Sequence, residues 1–246
     1  MKFVILAQPR SGSTLLMQLL DSHPDIRCEG ELLEFKVDSW MDVSNPLLRE
    51  VMKRPPVKTY LRRMPRRYLD LRARRAGAPL WGFKVFLSHL GWPGRVLSDL
   101  HGHGWKIIRL VRGNVLNQAL SMRVAHATGH YHRRDPGDGP GTGGLSIDPA
   151  EVTTEIQRRI QIQEQELGLL NGLDHEVVYY EQDLLSEDRR EATLARLLEH
   201  IGAAPATLSA GLSRTYDRGY DEIVQNHAEI VAAALKMGLP LELSAD

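Results

Sequence analysis

The amino-terminal run MKFVILAQPRSGSTLLMQLLDSHP constrains the fold more than any other stretch of the chain. Phe3 to Ala7 is continuously apolar, as a strand buried on both faces must be. Ser13 to Asp21 places Leu15, Leu16, Leu19 and Leu20 at helical spacing and stops at His23-Pro24, where proline opposes further helix. Between them lies Gln8-Pro9-Arg10-Ser11-Gly12-Ser13-Thr14. A strand that turns through glycine into a helix N-terminus aims backbone N–H groups at one point, and that point suits an anion.

The rest of the chain repeats the alternation. Trp81 to Phe86, Lys106 to Val111 and Glu176 to Tyr180 read as further buried strands. Helical patterns occupy 46–75, 93–101 and 115–127. A long one opens at Pro149, with Val152, Ile156, Ile160, Gln163 and Leu167 on one face, and others cover 188–201 and 222–236. Alternating strand and helix predicts an α/β fold: a P-loop-like, doubly wound, mostly parallel sheet with helices on both faces. At 246 residues this is one domain, 1–246. The Gly/Pro-rich stretch RRDPGDGPGTGG suggests a flexible loop at 128–147, placed to act as a lid.

A formal net charge of zero argues for neither a nucleic-acid binder nor an acidic-substrate enzyme, and no nucleic-acid partner is expected. The single cysteine, Cys28, excludes a disulfide framework. No apolar run approaches the ~20 residues of a membrane span. With a strand starting at Phe3 no signal peptide is expected, and the expected location is cytoplasmic.

The anion loop departs from that of nucleotide triphosphatases. Against G-x-x-x-x-G-K-[ST], Gly12 and Thr14 keep their places, but Ala7 replaces the first glycine and Ser13 the lysine. The strand at 106–111 ends in Arg112 rather than in a magnesium-binding aspartate. Arg10 offers instead a permanent, forked cation. The loop is thus suited to an anion that needs less neutralisation than a triphosphate with its Mg²⁺.

QPRSGSTLL resembles the 5′-phosphosulfate loop of sulfotransferases that use 3′-phosphoadenosine 5′-phosphosulfate (PAPS). RLVRGNVLNQALSMRVA resembles their second motif, a strand ending in Arg followed by a helix bearing Ser. LDSHPDIRCEGE is closest in style to the carbohydrate and tyrosylprotein branches, VVYYEQDLL resembles the family's YE-x-L segment, and IVQNHAEIVAAAL its C-terminal helix. The resemblance implies PAPS as co-substrate, no metal, and direct in-line transfer to a hydroxyl-bearing acceptor. That acceptor would be a carbohydrate, lipid or natural product, or a peptide tyrosine.

It also implies roles. Arg10, Ser11, Gly12, Ser13 and Thr14 would hold the 5′-phosphosulfate, while Arg112 and Ser121 would clasp the 3′-phosphate. Ser121 stands nine residues after Arg112, where many members have eight, with Leu120 at the eighth. Arg214 is a further phosphate candidate. Glu31 is the candidate base, with Glu29 and Glu34 near enough to stand in for it if the alignment slips. Lys84, inside an apolar strand and costly to bury without an anion, would neutralise the sulfonate or its bridging oxygen.

Two other features stand out. The basic stretch 49–75 is a solvated helix face or a surface for an anionic acceptor or nucleotide. His126, His130 and His132 make a weak zinc candidate, since no Cys or carboxylate joins them at metal spacing, and the family resemblance implies instead that His130 and His132 line the acceptor site. Two rivals remain: a P-loop kinase or NTPase with a degenerate loop, and a silent nucleotide- or glycan-binding module.

Overall fold

In the computed structural model, residues 1–34, 54–129, 144–211 and 219–243 are described. Five strands form one parallel sheet: β1 (Lys2–Leu6), β2 (Ile26–Glu29), β3 (Leu80–Val85), β4 (Lys106–Val111) and β5 (His175–Tyr179), in the order β2-β3-β1-β4-β5. Nine α-helices appear among the described residues: α1 (Ser13–Asp21), α2 (Pro55–Arg63), α3 (Arg66–Ala76), α4 (Pro93–Gly102), α5 (Val115–Thr128), α6 (Pro149–Leu170), α7 (Glu187–Ile201), α8 (Tyr220–Ile223) and α9 (His227–Lys236). The predicted α/β sheet is present, and it is wholly parallel.

Alternation along each strand sends side chains to two cores. Val4 and Leu6, with Trp81, Phe83, Val85 and Ile107, face α3, α4 and the end of α6. Phe3 and Ile5, with Ile108, Leu110 and Val178, face α1 and α7. A third cluster joins α5, the start of α6, α8 and α9 through Val115, Leu120, Ile156, Val224 and Ile230. On β3, Gly82 is required because a Cβ there would stand 2.3 Å from the Phe3 ring.

Several expectations need correction. β2 was not expected as a strand; it is four residues long, pairs only with β3, and interrupts its apolar residues with Arg27. Strand β5 ends at Tyr179, and Tyr180–Leu184 winds into a π-turn instead. The predicted helix at 222–236 is split by Val224–Asn226 into α8 and α9. The segment 46–75 holds two helices that part at Met64–Pro65; its residues up to 53 lie outside those described. On α6 the expected Val152, Ile156 and Gln163 are buried, but Leu167 is 56% exposed, and Glu155, Arg159 and Glu166 join the inward face.

Of the expected loop at 128–147, Thr128 closes α5 and Gly129 caps it with φ 72°. Ile147 exchanges two hydrogen bonds with the Asn226 amide, at 3.1 and 2.8 Å. Residues 130–143, with His130 and His132, lie outside the described residues, as does Arg214. No helix among the described residues is long and apolar enough to cross a membrane.

Candidate active site

Sheets of this kind bind ligands beyond the carboxyl ends of their strands, where the chain order reverses. Here β1 lies between β3 and β4, and all three end at a cleft of about 1640 Å³. The cleft is lined by the loop after β1, by Lys84 near the end of β3 and by Arg112 just after β4.

The loop is shaped by backbone geometry. Arg10 takes φ +65°, the only positive value at a non-glycine among the described residues, and Gly12 takes φ +86°. At Gly12 a side chain is excluded twice, by this φ and by the Tyr180 ring, whose nearest carbon would lie 2.2 Å from a Cβ. Gly12 is also the N-cap of α1 and supplies no side-chain cap, so the first-turn N–H groups of the helix open at the cleft beside Ser13 and Thr14. Ser11 behaves differently from its neighbours. It is fully buried, its hydroxyl has no hydrogen-bond partner, it does not line the cleft, and its N–H donates to the Gln8 carbonyl at 3.3 Å.

Arg10, Arg112 and Ser121 come together although they are far apart in sequence. Arg10 Nε donates to Ser121 Oγ at 2.8 Å, and Arg112 Nη1 donates to the Arg10 carbonyl at 2.7 Å. The nine-residue interval is accommodated because Gly113 and Asn114 separate Arg112 from α5, with Asn114 capping the helix at the Asn117 N–H (2.7 Å). The Glu181 carboxylate holds this turn by accepting from the N–H groups of Gly113 (2.9 Å) and Asn114 (3.3 Å). It also lies 3.4 Å from Arg112 Nε, close enough to pair in charge but not aligned to accept a hydrogen bond. The Arg112 guanidinium sits 5.2 Å from the Tyr180 ring centroid. Tyr180 and Glu181 therefore steady both loops at once.

At the other end, Lys84 is 6% exposed and bridges two groups. Its Nζ donates to Thr14 Oγ1 at 3.1 Å and lies 3.0 Å from Glu31 Oε1. The lysine does not snorkel to the surface; it joins the anion loop to the candidate base. Glu29 turns away from this arrangement, paired with Arg72 and accepting from the Trp81 indole N–H at 3.0 Å. Glu34 stays close: Glu31, Glu34 and His89 bring ligand atoms within 4.8 Å of one another, a spacing that could hold a cation. The Lys84 ammonium already supplies positive charge there.

His89 carried no recognisable signal in the sequence. It lies in a short 3₁₀ turn, Leu87–His89, just after β3, is 7% exposed, and packs on the Phe86 ring at 4.9 Å. The Phe86 N–H donates to its Nδ1 at 3.4 Å, so in the neutral ring the proton sits on Nε2, 4.0 Å from Glu31 Oε2. His126 also lines the cleft.

Beneath the cleft, α6 contributes a buried polar layer. Arg159 pairs with Glu155 and donates to the Pro9 carbonyl at 3.3 Å, supporting the anion loop from below. Gln118 on α5 donates to the same carbonyl at 2.9 Å. Burial pulls the Arg159 pKa down, against the opposing pull of Glu155. Arg109, on β4, lies 3.4 Å from Glu166 and donates to the Gln163 carbonyl at 3.2 Å.

Comparison with known proteins agrees with the fold. Residues 3–77 match the model of the Sulfotransferase family. The chain is 28% identical to Nodulation protein H of Rhizobium tropici over 245 residues, covering 93% of this chain and 87% of that protein. It is 29% identical to Nodulation protein H of Rhizobium meliloti (strain 1021) over 134 residues, covering 51% and 48% respectively. A sulfotransferase from Alicyclobacillus acidocaldarius has a similar solved structure, with a TM-score of 0.50 at 14% identity over 97% of this chain and 96% of that one. The match to the Sulfotransferase family is seated on β1, the anion loop and α1, and the fold is shared with a sulfotransferase along nearly the whole length of this chain.

Proposed function

We propose that the protein transfers the sulfuryl group of PAPS to a hydroxyl on an acceptor such as a sugar, glycolipid or natural product. The observation that carries this reading is the Lys84 bridge, which ties the anion loop at Thr14 to the Glu31 carboxylate. Sulfuryl transfer needs these parts side by side: a cradle for the donor phosphate, a cation for the transferred group, and a base for the acceptor proton.

The residues fit the donor. The cradle has no side chain at Gly12, α1 has no side-chain cap, and the Arg112 Nε is buried without a hydrogen-bond acceptor. PAPS supplies an activated sulfuryl group and a 3′-phosphate by which it differs from common adenine nucleotides. The first turn of α1 and Thr14 bind the 5′-phosphate side. Arg112 and Ser121 bind the 3′-phosphate, with Arg10 at the join between the two sites. Glu31 takes the proton from the acceptor hydroxyl as its oxygen bonds to sulfur. The bond from sulfur to the 5′-phosphate oxygen breaks and leaves its electron pair on that oxygen, where Lys84 and Arg10 meet the charge. His89, with its Nε2 4.0 Å from Glu31 Oε2, stands where it can help orient that carboxylate.

Calorimetric titration with 3′-phosphoadenosine 5′-phosphate, without Mg²⁺ and with AMP and ATP as controls, tests the donor. Binding should require the 3′-phosphate, and Arg112→Ala should weaken it roughly 10- to 100-fold, as loss of a charge-assisted hydrogen bond does. Glu31→Gln should keep that binding while transfer falls by ~10²–10⁴. A preference for Mg·ATP would overturn the reading in favour of phosphoryl transfer. Binding without transfer to any of a panel of hydroxyl acceptors would favour a silent binding module.

A further inference from the structure

The chain has no net charge, yet residues 54–76 hold nine Arg and Lys against one Asp. The inner side of this segment is spent on the fold. Leu61, Tyr68, Leu69 and Ala73 pack into the core, Arg66 pairs with Asp70 and Asp99, and Arg72 pairs with Glu29. Arg62 donates to the carbonyls of Ser88 and His89, the latter at 2.9 Å, which fastens α2 to the rim of the cleft.

The outer side has a different composition. Tyr60 and Arg63 lie three apart on α2 with Met64 just after it, Arg67, Leu71 and Arg74 recur three or four apart on α3, and all are exposed. Arg67, Arg74 and Arg75 have no acidic partner among the described residues. Trp92 extends the stripe: it is 41% exposed, with the Arg63 guanidinium 4.6 Å and that of Arg95 5.3 Å from its ring. Tyr60, Met64, Leu71 and Trp92 are four of the nine large apolar side chains that stand exposed among the described residues. A solvated charged face has no use for them.

We infer that the outer face of α2 and α3, with Trp92, is a docking surface for an anionic lipid bilayer. Interleaved arginines and apolar or aromatic side chains suit the headgroup boundary: guanidinium groups reach lipid phosphates while Leu, Met and the rings enter the acyl edge. Trp and Tyr favour that boundary because each has an apolar body and a polar tip. A soluble acidic partner would account for the charge but not for the apolar members of the stripe. Docking is peripheral, since no helix among the described residues can span a bilayer. This inference stands apart from the donor and acceptor chemistry proposed above.

Co-sedimentation of the full chain with vesicles tests it. Vesicles of phosphatidylglycerol and phosphatidylcholine should carry the protein down at low salt, and pure phosphatidylcholine vesicles should not. Arg67→Glu with Arg74→Glu should weaken binding by roughly tenfold or more, at an unchanged melting temperature because both side chains are exposed. Tyr60→Ser with Leu71→Ser should also weaken vesicle binding while leaving retention on a heparin column unchanged. Absence of binding to anionic vesicles, or binding indifferent to both double variants, overturns the inference. Retention on heparin without vesicle binding also overturns it and identifies a surface for soluble polyanions.

Discussion

His89 shows what a single side chain adds that a motif cannot. Its ring is held by Phe86 on one side and faces Glu31 on the other, so it can orient the carboxylate without touching the donor. His89→Ala should lower kcat by roughly tenfold or more and leave the affinity for 3′-phosphoadenosine 5′-phosphate unchanged, whereas His89→Gln, which keeps a terminal N–H donor, should recover much of the rate. A purely structural role would instead lower the melting temperature of both variants together. At this scale much of the site was legible. Arg10, Gly12 and Thr14 stood out in the loop pattern and Lys84 in its apolar strand, whereas Glu31, Arg112 and Ser121 were pointed to by the family resemblance; the fold brings all seven to one cleft. His89 was not legible, because a histidine in a 3₁₀ turn follows no periodicity and its partner lies 58 positions away across β3. Glu29 and Glu31 could be told apart only by direction: one reaches Arg72, the other Lys84.

Among the elements, α6 departs most from its sequence pattern. Apolar spacing identified the helix, its start at Pro149 and its buried Val152, Ile156 and Gln163, but the helix also buries Arg159 and Glu166 and leaves Leu167 exposed. The cause is Arg109, which sits mid-strand in β4 and needs a carboxylate; a helix offering Glu166 is turned to meet it. Burial pushes the Glu166 carboxyl up from 4.5 to about 7, despite the opposing pull of Arg109. A carboxyl whose folded pKa is raised binds more protons in the folded than in the unfolded state between those values. Stability should therefore fall as pH rises from about 4.5 towards 7, then level off, as far as this group is concerned. Urea unfolding of the wild type and of Glu166→Gln across pH 5 to 8 should show a flatter profile for the variant; identical slopes would place the pH dependence elsewhere. Strand β2 was missed for a related reason: four residues with Arg27 between Ile26 and Cys28 give too short an alternation to separate from a loop.

For the whole molecule, strand order matters more than strand identity. Four of the five strands and the α/β alternation were legible because parallel strands buried on both faces are continuously apolar. The order β2-β3-β1-β4-β5 was not, since it depends on crossovers that no local pattern specifies. Residues 3–77, which carry the family match, contain β1 but neither of the strands that flank it. A fragment ending at residue 77 should thus show no protected amides in β1 by hydrogen exchange and should not bind 3′-phosphoadenosine 5′-phosphate. Slow exchange there would mean that the amino-terminal third folds by itself.

The same order has a consequence for synthesis on the ribosome. The emerging chain presents β1 and the anion loop before the strands that flank them, and β1 gains its second neighbour only when β4, ending at Val111, has emerged. Gly12 stays uncovered, and Arg112 unclamped, until Tyr180 and Glu181 follow. Whatever the loop binds, a nascent chain cannot trap it early, and the apolar edges of β1 depend on chaperones or on the speed of translation for protection in the interval.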